Sequence, residues 1–368
     1  MHQRILFLLH LPPPIHGSSL VGQYIHRSQL INSNFNTKYI NLLGSKRINE
    51  TGKFKFHKVI SYLNVIIQLL SSLTAFRPQI CYFALSTTGI AFIKDLILIF
   101  LIKLFRVKLI YHLHNKGIKK KSENTILKIL YQFAFKNTDV IVLSQKLYFD
   151  VEKFVPIERV FVCFNGIEDK SKINHIRKSQ SVPVILFLSN LIKSKGIFEL
   201  LEALSVLKLK GNRFECRIIG GEGDIDSTML YKKISELNLN GTVFYLGKKY
   251  DKEKEIELLN SEIFVLPTFY ENECFPLVLL EAMSFSLPII STSEGGIEDI
   301  VQNGINGFLV QKLNLEQLIE KLEILIKEPE LRAEFGTKSR AIFEKKFTLR
   351  TFENSLLNIL KDVSVKSI

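Results

Sequence analysis

The stretch FVLPTFYENECFPLVLLEAMSFSLPIISTSEGGIEDIV, residues 264–301, decides the reading of the whole chain. An apolar run at 263–266 stops at Pro267 and predicts a strand. A loop with acids and a proline follows, then a helix-length apolar segment, then a second strand-like run at 288–291. Glu273 and Glu281 stand within it as the two ends of an E-x7-E spacing. A helix starting near Phe275 leaves Glu273 in the loop before its N-terminus and Glu281 about two turns in. The first amides of a helix lack intrahelical acceptors and carry partial positive charge, which suits a diphosphate. Carboxylates accept pairs of hydroxyls, which suits a sugar or a ribose. The same spacing also fits an ordinary acidic loop ahead of a buried helix, and spacing alone does not choose between them.

Outward from this segment, strand-like runs alternate with helix-length segments in both directions. Strands are predicted at 4–9, 38–42, 80–84, 108–112, 139–143 and 160–164, and again at 184–188, 215–219, 243–246, 263–266, 288–291 and 307–310. Such alternation is the pattern of parallel sheets covered on both faces. EDKSKINHIRKSQSVP, 168–183, is polar and without apolar period, so it reads as a linker. The expected fold class is α/β, two Rossmann-like doubly wound parallel-sheet domains facing across a cleft. Residues 1–167 form the first domain and 184–345 the second, and 346–368 form a C-terminal helix crossing back to the first. Ligands in such sheets sit at the carboxyl ends of the strands.

Composition is that of an ordinary globular protein, with 46% hydrophobic and 23% charged residues. Cys81, Cys163, Cys216 and Cys274 are far apart with no metal-type spacing, which predicts reduced thiols and a reducing compartment. The apolar run 5–9 is too short for a signal-peptide core. The runs 59–76 and 90–105 are interrupted by polar or charged residues and read as helices covering a sheet rather than spans. Residues 1–167 carry 22 Lys and Arg against 7 Asp and Glu, so the whole positive excess of the chain lies in its first half. A basic lobe attracts nucleic acid, anionic lipid or phosphorylated small molecules. No helix-turn-helix, RNP-type or basic-aromatic motif supports nucleic acid.

Glu273, Phe275, Leu277, Glu281, Ala282, Met283 and Pro288, continuing through Gly295, Gly296, Glu298, Gly304 and Gly307, resemble the E-x7-E…A-M-x4-P signature of retaining glycosyltransferase family four. This is the GT-B, glycosyl transferases group 1 family found in bacterial surface polysaccharide synthesis. The resemblance extends over nearly the whole chain. It implies that Glu273 contacts the donor sugar and Glu281 holds the ribose hydroxyls. Backbone around Phe275–Leu277 would face the sugar and phosphates, although Pro276 replaces the usual glycine and has no N–H. LFLSNLIKSKGIFELLEAL, 186–204, resembles the segment that carries an Arg and a Lys to the diphosphate. Lys195 fills the Lys position, Asn190 stands in the Arg position, and Lys193 is a substitute cation. Gly221 and Gly223 of IIGGEGD resemble a glycine turn near the nucleotide; the adjoining Asp224 and Asp226 have a D-x-D spacing, but no metal is expected.

In the first half, LPPPIHGSSLVGQYI, 11–25, resembles a Gly-rich loop touching the donor, with Gly17 kept and His16 where a glycine is usual. Ser18 and Ser19 are the expected helix caps. LIYHLHNKG, 109–117, ends in His112 and His114; the resemblance selects His114 to lie against the donor sugar, with His112 the weaker candidate. Asn165 and Gly166 of FNGIE fall near the hinge.

The resemblance implies transfer of a glycosyl group, with retention, from a nucleoside diphosphate sugar to a saccharide or lipid-linked acceptor. His114, Lys195 and Glu273 are the catalytic candidates. No cofactor is expected beyond the nucleotide-sugar co-substrate. The setting is cytoplasmic, with peripheral contact to an anionic membrane through the basic lobe and no nucleic acid. The rival readings are a GT-B nucleotide-sugar epimerase or phosphorylase and a non-catalytic sugar-nucleotide-binding subunit; Asn190 and Pro276 favour the second, the intact Glu273, Glu281, Lys195 and His114 oppose it.

Overall fold

The computed structural model describes residues 3–42, 56–171 and 182–365. It divides into two compact units, Met1–Gly166 with Leu349–Ile368, and Ile167–Thr348. Residues 172–181 of the expected linker lie outside the described residues.

The first unit runs β1 (Arg4–Leu9), α1 (Gly17–Arg27), α2 (Gln29–Asn34), β2 (Asn36–Asn41), α3 (Phe56–Ser71), β3 (Ile80–Phe83), α4 (Gly89–Leu104), β4 (Lys108–Leu113), α5 (Ile118–Lys121), α6 (Thr125–Phe135), β5 (Asp139–Val142) and β6 (Val160–Val162). The second runs β7 (Val184–Leu188), α7 (Ile197–Leu209), β8 (Glu215–Ile219), α8 (Ser227–Glu236), β9 (Val243–Tyr245), α9 (Asp251–Leu259), β10 (Ile263–Leu266), α10 (Leu277–Ser284), β11 (Ile289–Thr292), α11 (Ile297–Ile300), β12 (Gly307–Val310), α12 (Leu315–Lys327) and α13 (Pro329–Lys346). A last helix, α14 (Leu349–Val365), belongs to the first unit, where it packs against α2 and Lys108 Nζ donates to the Val363 carbonyl at 2.8 Å.

Each unit is built on one six-stranded parallel sheet, ordered β2-β1-β3-β4-β5-β6 in the first and β12-β11-β10-β7-β8-β9 in the second. Interior strands such as β7 (VILFL) and β10 (IFVL) are buried along their length. They are continuous apolar runs because helices cover both faces. The edge strand β2 (NTKYIN) is partly exposed and largely polar. In the first unit the chain reverses direction across the sheet between β1 and β3; in the second it reverses between β7 and β10. Ligands of doubly wound sheets bind at these switch points, outside the carboxyl ends of the strands. Right-handed crossovers put α1 and α2 on one face of the first sheet and α3, α4 and α6 on the other.

Every predicted strand is present, with ends shifted by at most two residues. One helix boundary differs in a way that matters: α10 starts at Leu277, not near Phe275. Pro276 sterically biases the residue before it away from helical torsions, so Phe275 stays out of the helix and Pro276 becomes its N-cap. Glu281 consequently sits little more than one turn into the helix, not two.

All four cysteines are buried and free. Burial raises the thiol pKa values of Cys81, Cys163 and Cys216, to about 12 for Cys163. Among the described residues no helix is long and apolar enough to cross a membrane.

Candidate active site

The loops that follow β7 and β10 meet at the switch point of the second unit. After β7 a single 3-10 turn, Lys193–Lys195, leads into Gly196, whose φ of +84° is left-handed. A Cβ on Gly196 would lie 2.3 Å from the Pro267 carbonyl oxygen, at the end of β10. Torsion and contact both demand glycine there. Phe269 N donates to the Ser194 carbonyl at 2.8 Å, and Thr268 Oγ1 donates to the same oxygen at 3.2 Å. The two loops are thereby locked together.

That lock brings Lys195 onto Glu273. The Lys195 ammonium forms an ion pair with Glu273 Oε2, and it stands 4.7 Å from the centre of the Tyr270 ring. Both side chains are mostly buried. The Glu273 backbone is held from the other side by the loop after β11. Gly295, with φ +58°, approaches so closely that a Cβ would lie 2.3 Å from the Glu273 carbonyl oxygen, and Gly296 N donates to Cys274 O at 2.6 Å. Phe275 is buried with its ring edge-on to Phe347, 5.7 Å between centres. Pro276 contributes neither a side-chain cap nor an N–H, and its carbonyl accepts from Leu279 N at 3.1 Å, so of the first-turn amides those of Leu277 and Val278 receive no acceptor from the cap residue. A loop carboxylate, an ammonium and a helix start therefore converge in one small region, as an anionic ligand requires.

Glu281 has a partner that the sequence did not reveal: Lys254 Nζ of α9 donates to its Oε1 at 2.6 Å. Its other oxygen, Oε2, is buried and has no hydrogen-bond partner. An unpaired buried carboxylate oxygen is costly in an empty protein and is met by a hydroxyl donor. Nothing in the run DKEKEIELL, where Lys254 lies, marks it out as a site residue.

Asn190 and the glycine turn come together, though not as free donors. Asn190 Oδ1 accepts from Gly221 N at 3.3 Å, and Gly223 N donates to Ile225 O at 3.3 Å. Neither glycine amide is left for a phosphate. Gly223 is crowded by backbone, since a Cβ there would lie 2.7 Å from Leu191 O, whereas a Cβ on Gly221 would meet only the movable end of the Lys248 side chain, at 2.1 Å. Lys248 is thus a further cation at this turn that no motif had singled out. Asp224 and Asp226 are both employed within the fold. Asp224 Oδ1 accepts from Lys193 N at 2.8 Å, and Asp226 caps α8 by accepting from Met229 N at 2.7 Å. Among the described residues, no group of three or more His, Cys, Asp or Glu side chains is arranged for a metal ion.

In the first unit the candidate residues gather beyond β1 and β4. The cap of α1 is His16, not Ser18 or Ser19: its ring accepts from Ser19 N, and Ser19 Oγ accepts from His16 N at 2.9 Å. The His16 ring fills the role expected of a serine because its Nδ1 lies at the same reach. Gly17 is the first residue of the helix, exposed, with nothing within 4 Å of an added Cβ. His112 is core: it is fully buried, its Nδ1 is hydrogen-bonded to the Tyr82 hydroxyl, and its Nε2 has no partner. His114, one residue past β4, is half-buried with its ring 4.2 Å from that of His112. Desolvation, then the neighbouring His10 and His16, holds the His114 pKa down at about 3, so the imidazole is neutral at physiological pH. A neutral ring can accept or donate a hydrogen bond at a sugar without adding charge.

Residues 168–342 match the family model described as glycosyl transferases group 1. N-acetyl-alpha-D-glucosaminyl L-malate synthase of Bacillus anthracis is 26% identical over 271 residues, 70% of this chain and 69% of that protein. The capsular polysaccharide biosynthesis glycosyltransferase CapM of Staphylococcus aureus is 32% identical over 169 residues, 45% of this chain and 42% of CapM. Among solved structures, Anabaena HepE in complex with UDP superposes with a TM-score of 0.77 at 19% identity, covering 98% of this chain and all of that one. The second unit matches glycosyl transferases group 1 over nearly its whole length, and the chain has the two-sheet GT-B fold.

Proposed function

We propose that the protein transfers a sugar, with retained anomeric configuration, from a nucleoside diphosphate sugar to a saccharide or lipid-linked saccharide of a surface polysaccharide. The observation that carries this reading is the Lys195–Glu273 pair at the β7/β10 switch point, beside the start of α10. A departing diphosphate needs positive charge and oriented N–H groups, and Lys195 with the α10 amides supplies both. Glu273 orients Lys195 in the empty protein and, when the diphosphate draws the ammonium away, is released to accept sugar hydroxyls. The buried Oε2 of Glu281 accepts a ribose hydroxyl. The exposed Gly17 at the start of α1 and the neutral His114 imidazole are the first unit's candidates for donor contact. The acceptor hydroxyl attacks from the face the diphosphate leaves. The capsular polysaccharide role of CapM and the UDP bound to HepE support the acceptor class and a uridine nucleotide.

The test is product analysis with a panel of nucleotide sugars and glycan acceptors. Acceptor-dependent release of nucleoside diphosphate, with an α product from an α-linked donor by NMR, is expected. Conversion of the donor to another sugar nucleotide without acceptor would replace this reading with an epimerase. Donor binding without turnover across acceptors of every class would favour a binding subunit.

A further inference from the structure

Helices α3, α4 and α6 form the outer layer on one face of the first sheet, and they are apolar on the side turned to solvent as well as on the side turned to the core. On α4, Ile90, Ile93, Ile97, Phe100 and Leu104 are all exposed, Ile90 by 72% and Phe100 by 54%. Their spacing repeats every three and four residues, so they form one stripe along a helix about 24 Å long. The neighbouring helices carry the same stripe: Leu63 and Ile67 on α3, the latter 63% exposed, and Ile126 and Ile129 on α6, the former 70% exposed. The helices are one layer. Tyr62 of α3 donates to Lys94 O of α4 at 2.5 Å, and Lys103 of α4 donates to Lys136 O, just past α6, at 2.5 Å while lying 5.6 Å from the Phe133 ring. A helix covering a sheet ordinarily turns polar residues to water, and an apolar surface spread over three helices marks a binding face.

Charge says what it binds. Between Phe56 and Lys136 the sequence has twelve lysines and arginines and two acids, Asp95 and Glu123. Asp95 is buried, so Glu123 is the one acid exposed there among the described residues. Lys94, Arg106, Lys128 and Lys136 are exposed on or beside the apolar stripes. Two copies of such a face would bring like charges together in a symmetric dimer. An apolar face with a basic border matches the interface of an anionic bilayer, where side chains enter the acyl boundary and cations meet the headgroups. None of these helices is long and apolar enough to span. The Lys119–Lys121 run that stood out in the sequence is the lesser part of this surface, since Lys119 is paired with Glu152 and lies over the Phe149 ring.

We propose that the α3–α4–α6 face seats the protein on an anionic phospholipid bilayer, with the Ile97–Phe100 stripe inserted at the interface. The inference is independent of the donor chemistry above and fails separately from it. The full chain is sedimented with phosphatidylcholine vesicles and with phosphatidylcholine–phosphatidylglycerol vesicles, as the wild type and as Ile97→Asp/Phe100→Asp. The wild type should bind only the anionic vesicles, keep part of that binding in high salt, and lose roughly a hundredfold in affinity through the double substitution. Circular dichroism and UDP affinity report folding and the nucleotide site, and both should be unchanged in the variant. Absence of wild-type binding, equal binding by the variant, or a wild-type dimer in sedimentation velocity that the double substitution dissociates would each overturn the proposal.

Discussion

Lys195 and Glu273, 78 residues apart in sequence, meet as an ion pair where the β7 and β10 loops are locked by Gly196 and Ser194. In the proposed reaction the Lys195 ammonium is the charge that meets the departing diphosphate. Lys195→Ala should lower the transfer rate roughly ten- to a thousandfold. Steady-state kinetics with saturating donor checks this; unchanged turnover would shift the role to Lys193 or Lys248.

Two glycines separate backbone need from ligand space. Gly196→Ala forces a left-handed alanine against Pro267 O. It should destabilise the protein by about 1–3 kcal/mol or more in urea unfolding. Gly17→Ala meets nothing within 4 Å at a helix start and should leave stability within about 1 kcal/mol. Donor turnover in that variant should nonetheless drop, because the added methyl occupies the space assigned to the ligand. A destabilised but fully active Gly17→Ala would remove the glycine loop from the site.

Burial moves two histidines and one aspartate of the first unit in directions that give opposite pH slopes. His10 and His114 are lowered from 6.5, by desolvation first, to about 4 and about 3. The unfolded chain then binds more protons below pH 6.5, and stability is lost as pH falls from there toward 4. Asp95 is raised, chiefly by desolvation, from 3.8 to about 7. The folded chain holds that proton more tightly, so stability is lost as pH rises through 4 to 7. Melting curves of Asp95→Asn should show a steeper gain with pH than wild type, and those of His10→Gln a shallower one. Identical slopes in all three proteins would contradict both assignments.

Activity should survive EDTA. Asp224 and Asp226 each have one carboxylate oxygen engaged with a backbone amide of the fold. Loss of turnover that Mg²⁺ or Mn²⁺ restores would return the D-x-D pair to the site.

The strands were legible because each buried interior run is continuously apolar and bounded by polar turns, as in VILFL at 184–188. What escaped reading was pairing at long range. Lys254 reaches Glu281 across 27 residues and Asn190 reaches the Gly221 amide across 31, and no periodicity encodes either. The α10 start falls two residues beyond the expected Phe275, because a proline holds the residue before it out of helical torsions, a local constraint that the apolar pattern of this segment does not display. The histidine cap of α1 was missed for a different reason: serine is the commoner cap, and His16 preceded two of them.

The ribose assignment of Glu281 is the most direct test of the account, because its buried Oε2 is unpaired and its Oε1 is already held by Lys254. Titration calorimetry with the tightest-binding of UDP, GDP and ADP would compare wild type with Glu281→Ala, with thermal melts confirming that the variant folds. A charge-assisted hydrogen bond contributes about 1.5–3 kcal/mol, so affinity should fall roughly ten- to a hundredfold. Unchanged affinity in a folded Glu281→Ala protein, or no nucleoside diphosphate binding by the wild type, would contradict the account.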